Sequence, residues 1–192
     1  VEIQSSKLKA IRANPSYYVS ATDEYPILFV IAALTKGVSI FKGIADLANK
    51  ESNRIEEMKK ILNQIGINCK STKSEMKIFG KPNINRINTT IKVPNLGDHR
   101  ICMSAVILSL ATGTTAEIKN FETVRTSSPS FLKIIKLLGG NYEIKKKTIN
   151  YLLLLMVLQQ AGKLLARDLF RKNMDCSFCP LVYFIAMLAI NY

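Results

Sequence analysis

Three short stretches of the chain gather residues able to bind anions and move protons. They are Thr22-Asp23-Glu24-Tyr25-Pro26, Lys50-Glu51-Ser52-Asn53-Arg54 and Gly97-Asp98-His99-Arg100. Each reads as the start of a helix, where free N–H groups and the helix dipole attract anions by roughly 0.3–1 kcal/mol when exposed. Arg100 adds a planar fork that can clamp a phosphate or carboxylate through two bonds. Glu51 and Arg54 share a helix face. As a surface ion pair they are worth about 0.3–0.5 kcal/mol. As a site, Lys50, Glu51 and Arg54 point into one cleft, two cations for an anion and a carboxyl for proton transfer. Thr22 or Asp23 suits an N-cap, with Pro26 in the first turn; the functional alternative is a carboxylate at the mouth of a site. Asp98-His99-Arg100 stands directly ahead of a mostly apolar run, which is hard to read as surface decoration.

Composition narrows the chemistry. The 192 residues carry 27 Lys and Arg against 14 Asp and Glu, a formal charge of +13. Apolar residues make up 48% and charged residues 21%, which fits a packed core and argues against disorder. Basic residues are spread, as Lys7, Lys36, Lys42, Lys59, Lys70, Lys81 and Lys119 show, and the dense run is Lys145-Lys146-Lys147. No RNP-like aromatic motif, zinc finger or basic helix accompanies them. The charge reads as a solvated surface or as a site for small, multiply charged anions; a basic nucleic-acid-binding module is the alternative from another class. No apolar run reaches the roughly 18 residues of a spanning helix, so no membrane partner is expected. His99 is the only histidine, which excludes a multi-histidine metal site. Cys69 and Cys102 read as core residues, and Cys176-x-x-Cys179 is half of a zinc or redox motif with no second half. These residues point to no metal site, and the cysteine usage to a reducing cytoplasm. Val1-Glu2-Ile3-Gln4 reads as strand and not as a signal peptide, so the chain is expected to begin mid-protein.

Hydrophobic periodicity supplies the elements that must hold these stretches. Val1 to Ser5 reads as strand, Asp23 to Leu34 as an apolar helix, and Val38 to Phe41 as strand. From Glu51 to Ile65 the apolar residues Ile55, Met58, Ile61, Leu62 and Ile65 recur at helical spacing, with Gly66 as C-cap. Ile67 to Lys70 and Met76 to Phe79 form two strands. Ile101 to Leu110 is apolar on all sides, a buried helix. Thr115 to Ile118 is strand, Phe131 to Leu138 helix, and Tyr142 to Ile144 strand. The order helix, strand, helix, strand thus occurs twice. A helix that is apolar all round needs partners on every side, so two such units pack helices inside and sheets outside.

Taken in order, D-E-Y-P at 23–26, K-E-S-N-R at 50–54 and G-D-H-R-I-C-M-S at 97–104 resemble the C-terminal part of the 5-enolpyruvylshikimate-3-phosphate (EPSP) synthase family. That family shows D-E-Y-P, K-E-[ST]-D-R and D-H-R-[IM]-[AG]-M. Val124-Arg125-Thr126-Ser127-Ser128-Pro129-Ser130-Phe131 is similar to its last motif, V-x-T-S-[FY]-P-x-F. Asn53 replaces an acidic residue, Ser128 an aromatic one, and Thr126 stands where some members carry a lysine that binds phosphoenolpyruvate. The resemblance covers residues 1 to about 147.

The resemblance implies an α+β fold: about two βαβαββ units of the C-terminal domain of an enolpyruvyl transferase, an inside-out α/β barrel, followed by a non-homologous apolar tail. It implies transfer of the enolpyruvyl group of phosphoenolpyruvate to the 5-hydroxyl of shikimate 3-phosphate, with release of phosphate and no cofactor. By the resemblance Asp23 is the acid/base beside the hydroxyl and Glu51 the proton donor at C3. Lys50 binds shikimate 3-phosphate, Arg54 and Arg100 hold phosphoenolpyruvate, His99 orients, and Arg125 and Thr126, within the last motif, are further candidates for binding substrate, Arg125 able to substitute for the lysine that Thr126 replaces. The N-terminal domain of the same enzyme is the implied partner and holds the other half of the site, so the chain alone is expected to be inactive. If the units are related by pseudo-threefold symmetry, the helix starts gather at one end. Asp23, Glu51, Arg54 and Arg100 then meet on one open face in a shared positive field. The sister transferase acting on UDP-N-acetylglucosamine is the alternative enzyme; Lys50-Glu51-x-x-Arg54 with Asp98-His99-Arg100 favours shikimate.

The pattern breaks after Lys147. A coding sequence for I-I-A-I-D-G-P-A-A-S-G-K, read one base out of phase, yields Leu152 through Lys163. The hidden peptide is a strand and a P-loop resembling the N-terminus of bacterial cytidylate kinase. Residues 148–192 are therefore expected to be a frameshift-derived tail, poorly packed or helical, with no kinase activity. Leu152 to Leu158 is expected to form an exposed apolar patch.

Overall fold

The computed structural model describes residues 8–82, 84, 88–147 and 150–157. In chain order the first unit runs β1 (Arg12–Ala13), α1 (Tyr17–Ala21), α2 (Tyr25–Ala33), β2 (Gly37–Lys42), α3 (Arg54–Gln64), β3 (Asn68–Ser71) and β4 (Glu75–Gly80). The second runs β5 (Thr90–Val93), α4 (His99–Thr112), β6 (Thr115–Lys119), α5 (Glu122–Ser127), α6 (Phe131–Leu137), β7 (Gly140–Lys147) and β8 (Asn150–Val157). The two sheets share one topology. The first has the order β1-β2-β4-β3 and the second β5-β6-β8-β7. In each, the first two strands are parallel and the remaining pairs antiparallel.

Helices α2 and α4 pack against each other, and α3 packs on both. Helix α4 buries Ile101, Cys102, Met103, Ser104, Ala105, Val106, Ile107, Leu108 and Ser109 in succession, as its all-round apolar sequence requires. Gly97 (φ 67°) and Gly113 (φ 63°) bracket this helix in the left-handed region. That region admits glycine without strain, and at Gly113 it ends the helix. Along α2, Tyr25 and Phe29 meet Phe41 of β2 edge-on, with ring centroids 5.0–5.9 Å apart. Helix α3 is two-faced, burying Ile55, Met58, Ile61 and Leu62, each worth about 1.5–3 kcal/mol of transfer free energy. Its last residue ties the units together. The Gln64 side-chain amide donates to the Lys92 carbonyl at 3.1 Å, and Lys92 N–H donates to Gln64 Oε1 at 2.7 Å. The side chain thus supplies β5 with a strand-like pair of bonds. Burial pushes the Cys69 and Cys102 thiols up to about 12, so both are inert core residues. Among the described residues no helix is long and apolar enough to cross a membrane.

Several elements differ from the sequence reading. Strand β1 lies at Arg12–Ala13, and the strand expected at residues 1–5 falls outside the described residues. Helix α3 starts at Arg54, so Lys50, Glu51 and Ser52 lie ahead of it. The leucine run predicts a helical or poorly packed segment; residues 150–157 are not helical but form the strand β8 between β6 and β7. A short continuous apolar run suits a strand as well as a helix. Here β8 gives the second unit the strand order of the first. Residues 158–192, with Cys176 and Cys179, lie outside the described residues.

Candidate active site

The site is assembled around Arg54, the first residue of α3. Asn53 caps this helix, its side chain accepting from Glu56 N–H at 3.1 Å. An amide oxygen caps as well as a carboxylate. The cap aims Arg54 back towards the starts of α2 and α4. Arg54 Nε donates to Asp98 Oδ2 at 2.9 Å, Nη1 to Asp23 Oδ1 at 3.0 Å and Nη2 to Glu51 Oε2 at 2.6 Å. The side chain is 1% exposed. Burial works against its charge, but the bond to Asp98, that carboxylate's charge and the bond to Asp23 hold the guanidinium above its ordinary value.

Asp98 anchors this arrangement. It is fully buried and is the N-cap of α4. Its Oδ1 accepts from the N–H groups of Arg100 (3.0 Å) and Ile101 (3.3 Å). Its Oδ2 accepts from Arg54 and from Ser52 Oγ at 2.9 Å. One carboxylate therefore fixes the start of α4 and the guanidinium at the start of α3. Arg100, two residues on, reaches Glu24 Oε1 at 3.2 Å and Asp23 Oδ2 at 3.6 Å. Its Nε is buried without a partner among the described residues. Beside the cluster Lys50 Nζ lies 3.1 Å from Asp46 Oδ2, which accepts from the Tyr18 hydroxyl at 3.1 Å. That contact holds the Lys50 ammonium above its ordinary value. His99 is shifted down, first by burial and then by the charge of Arg100, so it is neutral near pH 7.

The structure thus brings together Asp23, Glu51, Arg54 and Arg100 from three separate stretches. Asp23 and Glu51 are 54% and 47% exposed and face outward, with Arg54 and Asp98 behind them. The bonds of Arg125 and Thr126 stay within α5: Arg125 pairs with Glu122 at 3.0 Å and the Thr126 hydroxyl donates to the Thr123 carbonyl at 2.9 Å. Neither Thr22 nor Asp23 caps α2, whose N-cap is Glu24 without a side-chain bond; Thr22 Oγ1 donates to the Tyr18 carbonyl instead. The expected shared positive field is also corrected. Two guanidiniums, Arg54 and Arg100, face four carboxylates, Asp23, Glu24, Glu51 and Asp98. Among the described residues no three His, Cys, Asp or Glu side chains are gathered to hold a metal ion; the cations facing these carboxylates are the protein's own.

The family model for EPSP synthase (3-phosphoshikimate 1-carboxyvinyltransferase) matches residues 3–135, which include every residue of this cluster. The chain belongs to the EPSP synthase family. A 3-phosphoshikimate 1-carboxyvinyltransferase of Chelativorans sp. is 32% identical over 143 residues, 74% of this chain and 32% of that protein. One from Vesicomyosocius okutanii is 35% identical over 148 residues, 75% of this chain and 32% of that protein. The structure of EPSP synthase from Acinetobacter baumannii superposes with a TM-score of 0.58 at 30% identity, over 68% of this chain and 30% of that one. The chain spans about a third of the length of the curated relatives it matches. Within this EPSP synthase family member, Asp46 and Tyr18 are supporting residues that no sequence signal marks, while Asp98, Ser52 and Glu24 lie inside the three stretches read from sequence but take supporting roles. An Asp immediately ahead of an apolar helix is the N-cap signal that identifies Asp98.

The ion pair has a pH signature. The hydrogen bond from Arg54, and then the charge of Arg100, hold the Asp23 carboxyl below its ordinary value of 3.8 against the opposing effect of burial. A carboxyl with a lower pKa folded than unfolded stabilises the fold above the unfolded value and loses that contribution as pH falls through the folded one. Stability to urea is therefore expected to decline below about pH 4, and Asp23→Asn to make that decline shallower. An unchanged acid limb would remove Asp23 from the pair.

Proposed function

We propose that the chain supplies the C-terminal half of an enolpyruvyl transfer site, moving the enolpyruvyl group of phosphoenolpyruvate to the 5-hydroxyl of shikimate 3-phosphate with release of phosphate. The observation that carries this reading is the meeting of Asp23, Glu51, Arg54 and Arg100 at the starts of three helices. Arg100, with its unpartnered Nε, holds phosphoenolpyruvate together with Arg54. Lys50, kept in place by Asp46, binds the phosphate of shikimate 3-phosphate. Asp23 takes the proton of the attacking hydroxyl, and Glu51 delivers one to C3 as C2 becomes tetrahedral. His99 is neutral and orients. Asp98 and Ser52 touch no substrate; they position Arg54. In this reading the two βαβαββ units are part of a pseudo-threefold, inside-out domain. An N-terminal domain covers the face of the cluster and supplies the remaining cations, and the chain alone does not turn over.

The experiment joins this chain to the preceding two thirds of a relative and measures binding of phosphoenolpyruvate by calorimetry. Arg100→Ala is expected to weaken it by about 1.5–3 kcal/mol, the range of a charge-assisted hydrogen bond. Unchanged affinity would place Arg100 outside the site.

A further inference from the structure

Arg54 has two kinds of carboxylate partner. Its bond to Asp98 joins side chains that are 1% and 0% exposed, closed to solvent and tied to the start of α4. Its terminal nitrogens are instead taken by Asp23 and Glu51, 54% and 47% exposed. The charges around them do not balance. Arg54 and Arg100 contribute two positive charges, and Asp23, Glu24, Glu51 and Asp98 four negative ones. Lys50 is matched by Asp46, and His99, neutral near pH 7, adds nothing. An anion arriving from solvent reaches Arg54 only where Asp23 and Glu51 now stand, and like charges cannot share those N–H groups without repulsion.

We propose that anions bind this cluster by exchange: the ligand takes the terminal nitrogens of Arg54 from Asp23 and Glu51, Asp98 keeps Nε, and one of the two displaced carboxylates takes up a proton from solvent. Each exchange consumes one anion site and one proton, and turns one carboxylate into a carboxylic acid; no other bond is made or broken. Substrate binding then loads the proton that the reaction delivers. The identity of the natural anion rests on the reading above, whereas the exchange itself requires only a dianion.

The test titrates the 192-residue chain with sulfate, a dianion from pH 5 to 8, by calorimetry in buffers of different ionisation heat. Net proton uptake is expected on binding, with affinity rising as pH falls from 7 to 5, by at most about tenfold per unit for one proton. Glu51→Gln and Asp23→Asn are each expected to bind sulfate several-fold tighter with less uptake, because an internal competitor is gone. Uptake persists in His99→Gln, which separates it from histidine titration. Sulfate binding without proton uptake, or weaker binding in both carboxyl variants, overturns the exchange and leaves the anion site standing. No binding at pH 5, or binding indifferent to Arg100→Ala, overturns the anion site with it.

Discussion

Glu51→Gln is expected to lower turnover of the joined enzyme by about 10²–10⁴-fold, the usual contribution of a positioned general acid or base. The substitution keeps the side chain's length and its ability to accept from Arg54 Nη2, the 2.6 Å contact that fixes its position. It removes the transferable proton. The loss therefore falls on kcat, and binding of phosphoenolpyruvate is retained or modestly tightened. Stopped-flow measurement of a single turnover separates the two. A weakened Kd with unchanged chemistry would make Glu51 part of the binding surface and not the proton donor.

Asp98→Ala is expected to cost up to about 3–5 kcal/mol of stability, the range for removing one partner of a buried ion pair, with Asp23 and Glu51 still on the outer nitrogens of Arg54. Arg54 stays behind in a site where it is 1% exposed. Helix α4 also loses its cap to Arg100 and Ile101, worth about 1 kcal/mol by itself. A domain of this kind has only about 5–15 kcal/mol in total, so the variant sits near the edge of folding. Asp98→Asn preserves an acceptor for the cap and is expected to lose less. Urea denaturation of the two variants gives the difference, which isolates the ion pair. A cost below about 1 kcal/mol for Asp98→Ala, the level of the cap alone, would mean that Arg54 is not held as described.

Much of this arrangement is legible in the residues. The run after Arg100 is apolar on every side and reads as a buried helix, which α4 is. The spacing of Ile55, Met58, Ile61 and Leu62 gives the inward face of α3. The three polar helix starts read as candidate site stretches, and they meet. The burial and pairing of the site's charges are harder to read. Arg54 is a charged residue with 1% exposure, and charged residues are almost never buried unless paired. The pairing spans 31 and 44 positions of sequence, which no local pattern encodes. Strand β5, Thr90–Val93, is four residues long, too short for its alternation to stand out. The run at 152–157 is ambiguous for the opposite reason. Its residues are uniformly apolar, so it carries no period to separate strand from helix. Its place between β6 and β7 follows from the sheet that receives it.

Phosphate release tests the central claim most directly. The chain is joined to the preceding two thirds of a relative and supplied with phosphoenolpyruvate and shikimate 3-phosphate, with the 192-residue chain alone in parallel. The account predicts release by the joined enzyme that requires both substrates, and none by the chain alone. Steady release by the isolated chain, or release from the joined enzyme that survives loss of both Glu51 and Arg100, would contradict it.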